Sequence, residues 1–228
     1  AWINRQNWLQ YDVPECEWSR RSWLAIELGG ADRVEKPCEG GEEEGMLTHL
    51  WLDENSLDGK LPLELFYYLP NLKTLSLSWN GMNRTALQES VKEGKDIDYY
   101  LNLFGYEWLY FTSDGFPGKV PSEIGLLTRL ERLDLVGNRF NDSLPSEIGN
   151  LVSLRHFNAS WNALSGGIPS QLGRLAVLNE LHLQRNVLSQ SIPSELGLCA
   201  LTSLSMSHNS LTGDIPTALY SLTQLQEL

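Results

Sequence analysis

Residues 130–153 read LERLDLVGNRFNDSLPSEIGNLVS, and close variants of this frame recur along most of the chain. A unit this short cannot bury its apolar face alone, so each copy must stack on its neighbours. The repeat therefore predicts an α/β solenoid over residues 47–228, with seven units and a truncated eighth. Aligned on the first apolar position, the frames begin at Leu47, Leu72, Tyr106, Leu130, Leu154, Leu178, Leu201 and Leu225, and all intervals but one lie between 23 and 25 residues.

Within one unit, the apolar spacing indicates which side chains face the core. Leu130, Leu133 and Leu135 are expected to point inward from a short strand, whereas the residues between them point outward. Successive strands about 4.8 Å apart would form a parallel sheet on the concave side of the solenoid. The proline that follows in most units stops further pairing, and the next residues read as a short 3-10 or helical turn on the convex side.

A polar residue, asparagine in all frames but one, follows each predicted strand. Its side-chain amide can both donate to and accept from buried backbone groups of the adjacent turn, which need partners. We therefore expect a ladder of structural amides along the solenoid, at Asn55, Asn80, Asp114, Asn138, Asn162, Asn186 and Asn209.

The last part of each unit carries a resemblance to a known family. The segments GKVPSEIG (118–125), GIPSQLG (167–173) and SIPSELG (191–197) are similar to plant-type leucine-rich repeats, which occur in plant receptor-like kinase ectodomains, polygalacturonase-inhibiting proteins, and algal and diatom proteins. The resemblance implies a right-handed arc and a role in recognition. It also implies an extracellular or secretory-lumen location, either for a secreted protein or for the ectodomain of a membrane protein. The chain would then be the front part of a longer protein whose C-terminal cap is missing here.

Residues 1–46 lack the repeat and hold four of the eight tryptophans. Cys16-Glu17-Trp18 and the later Cys38 resemble the N-terminal cap of this subclass, in which the two cysteines form a disulfide. Such a cap would cover the leucines of the first unit. The alternative is two reduced thiols in an intracellular protein. Cys199 lies in a convex turn, where we expect a buried, reduced thiol.

The interval from Leu72 to Tyr106 is about ten residues too long, which predicts an irregular insertion at about 83–105. Insertions in repeat proteins map to loops and often build ligand sites. A loop without function is the alternative, because lengthening a loop changes stability little. The inserted Tyr99-Tyr100 pair favours function.

The outward strand positions supply the candidate ligand site. All four histidines fall there, together with the four tryptophans outside the cap, and exposed aromatic side chains are common anchors of interfaces. We expect a protein, peptide or glycan ligand, and the candidate residues are His49, Trp51, Trp79, Trp108, Tyr110, Arg132, Asp134, His156, Trp161, His182 and Arg185.

Other classes of function fit the sequence less well. A formal net charge of -12 argues against nucleic acid partners, and no apolar run is long enough for direct membrane insertion of this segment. Asp134, Asn158, His182 and Ser205 share one column, but no nucleophile elbow or oxyanion hole is evident, so we expect neither an enzyme nor a cofactor. His156 and His182 lack a third metal ligand. A structural or adhesion subunit remains the main alternative; an ice-binding protein is a remote one, since that column is not uniform.

Three triplets fit the N-glycosylation pattern, at Asn83, Asn141 and Asn158. We expect Asn83 and Asn141 to lie in loops, where a glycan leaves stacking undisturbed. Asn158 is expected in the middle of the sheet, where a glycan would obstruct the candidate site.

Overall fold

The computed structural model describes residues 48–53, 61, 63, 66–67, 69–80 and 117–226. Ten short strands lie in two parallel sheets. Six form the concave sheet, whose spatial order follows the chain; they are β1 (His49–Trp51), β2 (Thr74–Ser76), β4 (Arg132–Asp134), β6 (His156–Asn158), β8 (Glu180–His182) and β10 (Ser203–Ser205). The predicted leucine-rich repeat solenoid, with its parallel concave sheet, is confirmed.

The apolar core runs through the solenoid behind the concave sheet. The central residues of successive strands are in register, with Leu133 paired to Leu75 on one side and to Phe157 on the other. All three side chains are completely buried, as are Leu130 and Leu135. Burying such a side chain is worth about 1.5–3 kcal/mol, so stacking of the units supplies most of the stability.

A second parallel sheet, which the repeat pattern did not predict, is formed by the residues that come after the ladder asparagines in the chain. Its strands are β3 (Pro117–Gly118), β5 (Arg139–Ser143), β7 (Ala163–Gly166) and β9 (Val187–Leu188). The chain stays extended after the asparagine, and each strand pairs two residues out of step with the repeat, as in Asn141 with Ala163. Asn141 is therefore exposed on a strand, and the expectation that it lies in a loop is wrong.

Short 3-10 turns form the convex side, as predicted, and an extended proline precedes each one. Glycines in these turns allow close stacking: a Cβ on Gly149 would lie 2.5 Å from the backbone oxygen of Gln171 in the next unit. Gly125, Gly173 and Gly197 make equivalent close approaches. The turns span Ser122–Leu126, Ser146–Asn150, Ser170–Arg174, Ser194–Leu198 and Thr217–Ser221.

The asparagine amides connect neighbouring units. Asn162 Nδ2 donates to Leu135 O of the preceding unit at 2.8 Å, and Asn162 Oδ1 accepts from Phe140 N at 3.0 Å. Asn80, Asn138, Asn186 and Asn209 make matching bonds to preceding carbonyls. Asn55 and Asp114 lie outside the described residues. Each amide therefore supplies partners to backbone groups that would otherwise be buried without one.

The concave sheet departs from the expected order of units at one place. Strand β2 pairs directly with β4, and Leu77 N donates to Asp134 O at 2.9 Å. The frame at Tyr106 predicted a strand between these two, and that part of the prediction is wrong because the backbone bonds of β2 on this side go to β4. Residues 81–116, which include the predicted insertion, lie outside the described ranges.

Cys199 is buried beneath the convex turn at 194–198. Its Sγ donates to Leu172 O at 3.3 Å, and burial raises the pKa of the thiol to about 11. A thiol with so high a pKa is a poor nucleophile, which fits a core residue. Cys16 and Cys38 lie outside the described residues.

Candidate functional site: the concave face and its rim

The pairing of the strands arranges the outward side chains in columns across the concave face. Asp134 pairs with Asn158, Asn158 with His182, and His182 with Ser205. The sheet thus brings together the predicted column that crosses β4, β6, β8 and β10. Trp108 and Tyr110 fall outside the described residues, and β2 pairs directly with β4.

Around β1, β2 and β4, the outward side chains bond to one another. Asp53 Oδ1 accepts from Ser76 Oγ at 2.6 Å and from Ser78 N at 2.7 Å. His49 contacts Thr74 Oγ1 through Nδ1 at 2.9 Å, and its ring stacks on that of Trp51. Thr74, Ser76 and Ser78 are buried although they face outward. This part of the face has already satisfied its own polar groups.

Arg132 and Asp134 complete this network. Arg132 Nε donates to Asp134 Oδ2 at 2.6 Å, while the guanidinium side chain remains half exposed. Burial raises the pKa of Asp134, and the Arg132 hydrogen bond opposes that rise without cancelling it. A buried carboxylate of this kind orients its arginine partner more than it attracts a ligand.

Around β6 and β8, in contrast, several polar atoms have no partner among the described residues. Asn158 Oδ1 accepts from Ser160 N and Ser160 Oγ, which leaves its Nδ2 as a fixed, unused donor. His182 makes no hydrogen bond within the described part of the chain, and it is only partly buried. His156 Nδ1 lies 2.9 Å from Glu180 Oε2 without the alignment of a hydrogen bond. These groups can bond to a ligand.

A row of side chains lies at the edge of the concave sheet, one residue before each ladder asparagine. We call Trp79, Gly137, Trp161, Arg185 and His208 the rim row, and all five residues have φ between 55° and 65°. This left-handed backbone is unusual for tryptophan and arginine. The repeat pattern predicted Trp79, Trp161 and Arg185 on the sheet itself; the glycine at position 137 was the signal for a left-handed turn.

Side chains of the rim row contact their neighbours in the row. A Cβ on Gly137 would lie 2.5 Å from Trp79 Cε3, so the indole occupies the space that this glycine leaves. The Arg185 guanidinium lies 4.2 Å from the centroid of the Trp161 ring, in a cation–π contact. Next to this pair, Gln184 Oε1 is buried and accepts no hydrogen bond from any described residue. A buried acceptor without a donor indicates a place where a partner can bind.

Neither a metal centre nor a catalytic relay is visible in the described ranges. They hold no group of three or more His, Cys, Asp or Glu side chains placed for a metal, and no hydrogen bond joins Ser205 to His182. None of the helices described is both long and apolar enough to cross a bilayer.

Comparison with known proteins identifies the repeat. The leucine-rich repeat family model matches residues 129–151, 153–175 and 200–222. No curated protein matches the chain. The chain is similar to the ectodomain of the membrane receptor kinase GASSHO1/SCHENGEN3 from Arabidopsis thaliana, solved with CASPARIAN STRIP INTEGRITY FACTOR 2, at 33% identity and a TM-score of 0.62 over 80% of this chain and 18% of that one.

Two further structures extend the comparison. The Arabidopsis receptor kinase HAESA ectodomain, solved with an IDA peptide hormone ligand, is 26% identical, with a TM-score of 0.66 over 94% of this chain and 32% of that one. A structure from the BIR3–SERK2 complex of Arabidopsis thaliana is 30% identical, with a TM-score of 0.55 over 78% of this chain and 76% of that one. The chain spans a third or less of the GASSHO1/SCHENGEN3 and HAESA ectodomains. The repeat, the fold and these similarities show that the chain belongs to the plant-type leucine-rich repeat proteins.

Proposed function

We propose that this protein is a non-catalytic recognition module that binds a peptide or protein segment on its concave face, centred on β6 and β8. The observation that carries the proposal is the contrast between the two parts of the face. Polar groups around β2 and β4 bond to one another, whereas Asn158 Nδ2 and His182 have no hydrogen-bond partner among the described residues, and His156 Nδ1 faces Glu180 without an aligned hydrogen bond. Partly buried donors and acceptors without partners gain most from a ligand.

The similar structures support a peptide over other ligands. The HAESA ectodomain was solved with a peptide hormone and covers nearly the whole of this chain. Parallel strands also present their side chains at regular intervals of about 4.8 Å, which suits an extended ligand that crosses several units. A glycan ligand, or an assembly subunit without a ligand, would be the conclusion if no peptide binds.

The same relationship supports an extracellular or secretory-lumen location. There we expect Cys16 and Cys38 to be disulfide-bonded, and Asn141 or Asn83 to be glycosylated before Asn158. Asn141 is exposed on β5, whereas Asn158 is partly buried and its Oδ1 already accepts two hydrogen bonds. Peptide mass mapping of the secreted chain tests both points. Free thiols at both cysteines, or a glycan at Asn158 alone, would contradict them.

The experiment is selection of peptides from a random display library against the full chain, followed by affinity measurements with variants. Asn158→Ala and His182→Ala should each weaken the selected peptide at least about tenfold, as loss of a buried polar contact does. Val152→Ala, an exposed change on the convex side, is the matched control and should leave affinity unchanged.

Two results would overturn the proposal. One is that the selected peptides bind the Asn158 and His182 variants as tightly as the wild type. The other is that Val152→Ala weakens binding as much as they do, which would place the site on the convex side.

A further inference from the structure

The rim row places two indole rings at a defined separation. Trp79 belongs to the unit of β2 and Trp161 to that of β6, with only the unit of β4 between them. Two steps of about 4.8 Å separate their backbones by about 10 Å. Trp79 packs over Gly137, and the Arg185 guanidinium packs on the Trp161 ring, so contacts with the next unit hold each indole in place.

This separation discriminates between conformations of a bound peptide. In a β-strand, side chains on one face repeat every two residues, about 6.6 Å, which does not match the rings. In a polyproline II helix, every third residue returns to the same face after about 9.3 Å, which does match. Residues i and i+3 of such a helix could each contact one indole.

Hydrogen-bonding groups near the rings fit the same kind of ligand. A polyproline II helix makes no internal hydrogen bonds, so its carbonyl groups accept from outside. Neither the Trp79 nor the Trp161 indole N–H has an acceptor among the described residues, and both side chains are partly exposed. Gln184 Oε1 lacks a donor, which an N–H from a residue between the prolines would supply.

We propose that Trp79 and Trp161 form a docking surface for a proline-rich peptide in the polyproline II conformation, with prolines three residues apart against the two indole rings. Proline suits this surface because its ring is apolar and its backbone is already held near the polyproline II conformation, so little entropy is lost on binding. The inference rests on the proposed function, since it names the class of peptide and the part of the face that reads it. Gly137 is required because any side chain there would displace the Trp79 ring.

The test uses two fluorescein-labelled peptides of equal length and composition, added to the full chain in a fluorescence polarisation assay. One has proline at every third position, and the other has the same prolines at every second position. We expect the first to bind at least about tenfold more tightly, because only its prolines reach both rings. Trp79→Asn and Trp161→Asn should each abolish this preference, since asparagine tolerates the left-handed backbone but removes the ring.

Trp161→Phe, which keeps an aromatic ring, should retain part of the preference, and urea denaturation of the asparagine variants separates loss of the ring from unfolding. Tyr220→Asn is the matched control, because this exposed aromatic side chain lies on the convex turn at Thr217–Ser221 and outside the rim row, and it should bind as the wild type does. Equal binding of the two peptides, or an unchanged preference in both rim variants, would overturn the inference. If library peptides still depend on Asn158 and His182, only the inference fails and the proposed function stands.

Discussion

Asn162 shows how much one amide contributes to a unit of the solenoid. It donates to Leu135 O and accepts from Phe140 N, and both partners are buried. Asn162→Ala removes these bonds and leaves buried backbone groups without them, so it should lower the free energy of unfolding by about 2–4 kcal/mol. Urea denaturation measures the change. Asn209→Ala is the control: this residue is partly exposed, water can replace its bonds, and the loss should be less than half as large.

Asp134 should make stability depend on pH in an unusual direction. Because burial raises its pKa above the ordinary value of 3.8, the folded protein binds this proton more tightly than the unfolded chain does. The contribution of Asp134 to stability is therefore greatest at and below that value, and it falls as the pH rises toward the raised pKa. Wild type should lose stability relative to Asp134→Asn over this range, measured by urea denaturation at successive pH values. Parallel curves for the two proteins would contradict the assignment.

At the residue scale, the sequence predicted the buried core better than it predicted the exposure of the outward side chains. The apolar frame correctly placed Leu130, Leu133 and Leu135 in the core. Outward positions were expected to be open, yet Ser76 and Asp134 are buried, because small and charged side chains there bond to one another. The bond from Ser76 to Asp53 joins two units, and a pattern read along one unit does not contain it.

The convex turns depend on glycine for their spacing. A Cβ on Gly149 would meet the backbone of Gln171. The backbone cannot move aside as the end of a flexible side chain can. Gly149→Ala should therefore lower stability by about 1–3 kcal/mol, as overpacking does, because the two turns must separate. Thermal or urea unfolding measures this. Asn150→Ala, exposed in the same turn, should be nearly neutral, and an equal loss in both variants would contradict the explanation.

The second sheet explains why the elements were only partly predictable. The second-sheet strands are short, and β3, β5 and β7 contain Gly, Pro, Asn or Asp, which are uncommon in strands. They form because the concave strands and turns already hold successive units one strand spacing apart. Tertiary structure therefore overrides the local preference of residues such as Asn141. The convex turns and the concave strands, in contrast, could be predicted from the repeat.

The whole solenoid should not depend on residues 81–116. Trp79 N donates to Val136 O, and Pro117 pairs with Arg139, so the residues on either side of 81–116 lie beside one short stretch of the next unit. Replacing 81–116 with a short Gly-Ser linker should leave the concave sheet folded and the urea midpoint nearly unchanged. Circular dichroism and amide exchange of the ladder would test this. Loss of protection throughout β4–β10 would contradict it.

The frame at Tyr106 shows where the repeat misled at the scale of the molecule. A matching pattern predicts that a segment can form a unit. The order of the concave sheet also depends on which strand pairs with the free edge of the preceding one. Here β2 and β4 pair in full register, and Trp79 fits against Gly137. Long-range pairing of this kind is not encoded in the spacing of leucines.

The direct pairing of β2 with β4 also affects how the solenoid should unfold under force. Bonds of the ladder join only adjacent units, so a chain pulled from its ends should unravel one unit at a time. Ordinary steps near 24 residues should each release about 80 Å of chain. At the junction, 58 residues separate Leu72 from Leu130, so separating β2 from β4 should release up to about 200 Å of chain. In a single-molecule force trace, one long step among the short ones would identify the junction between β2 and β4.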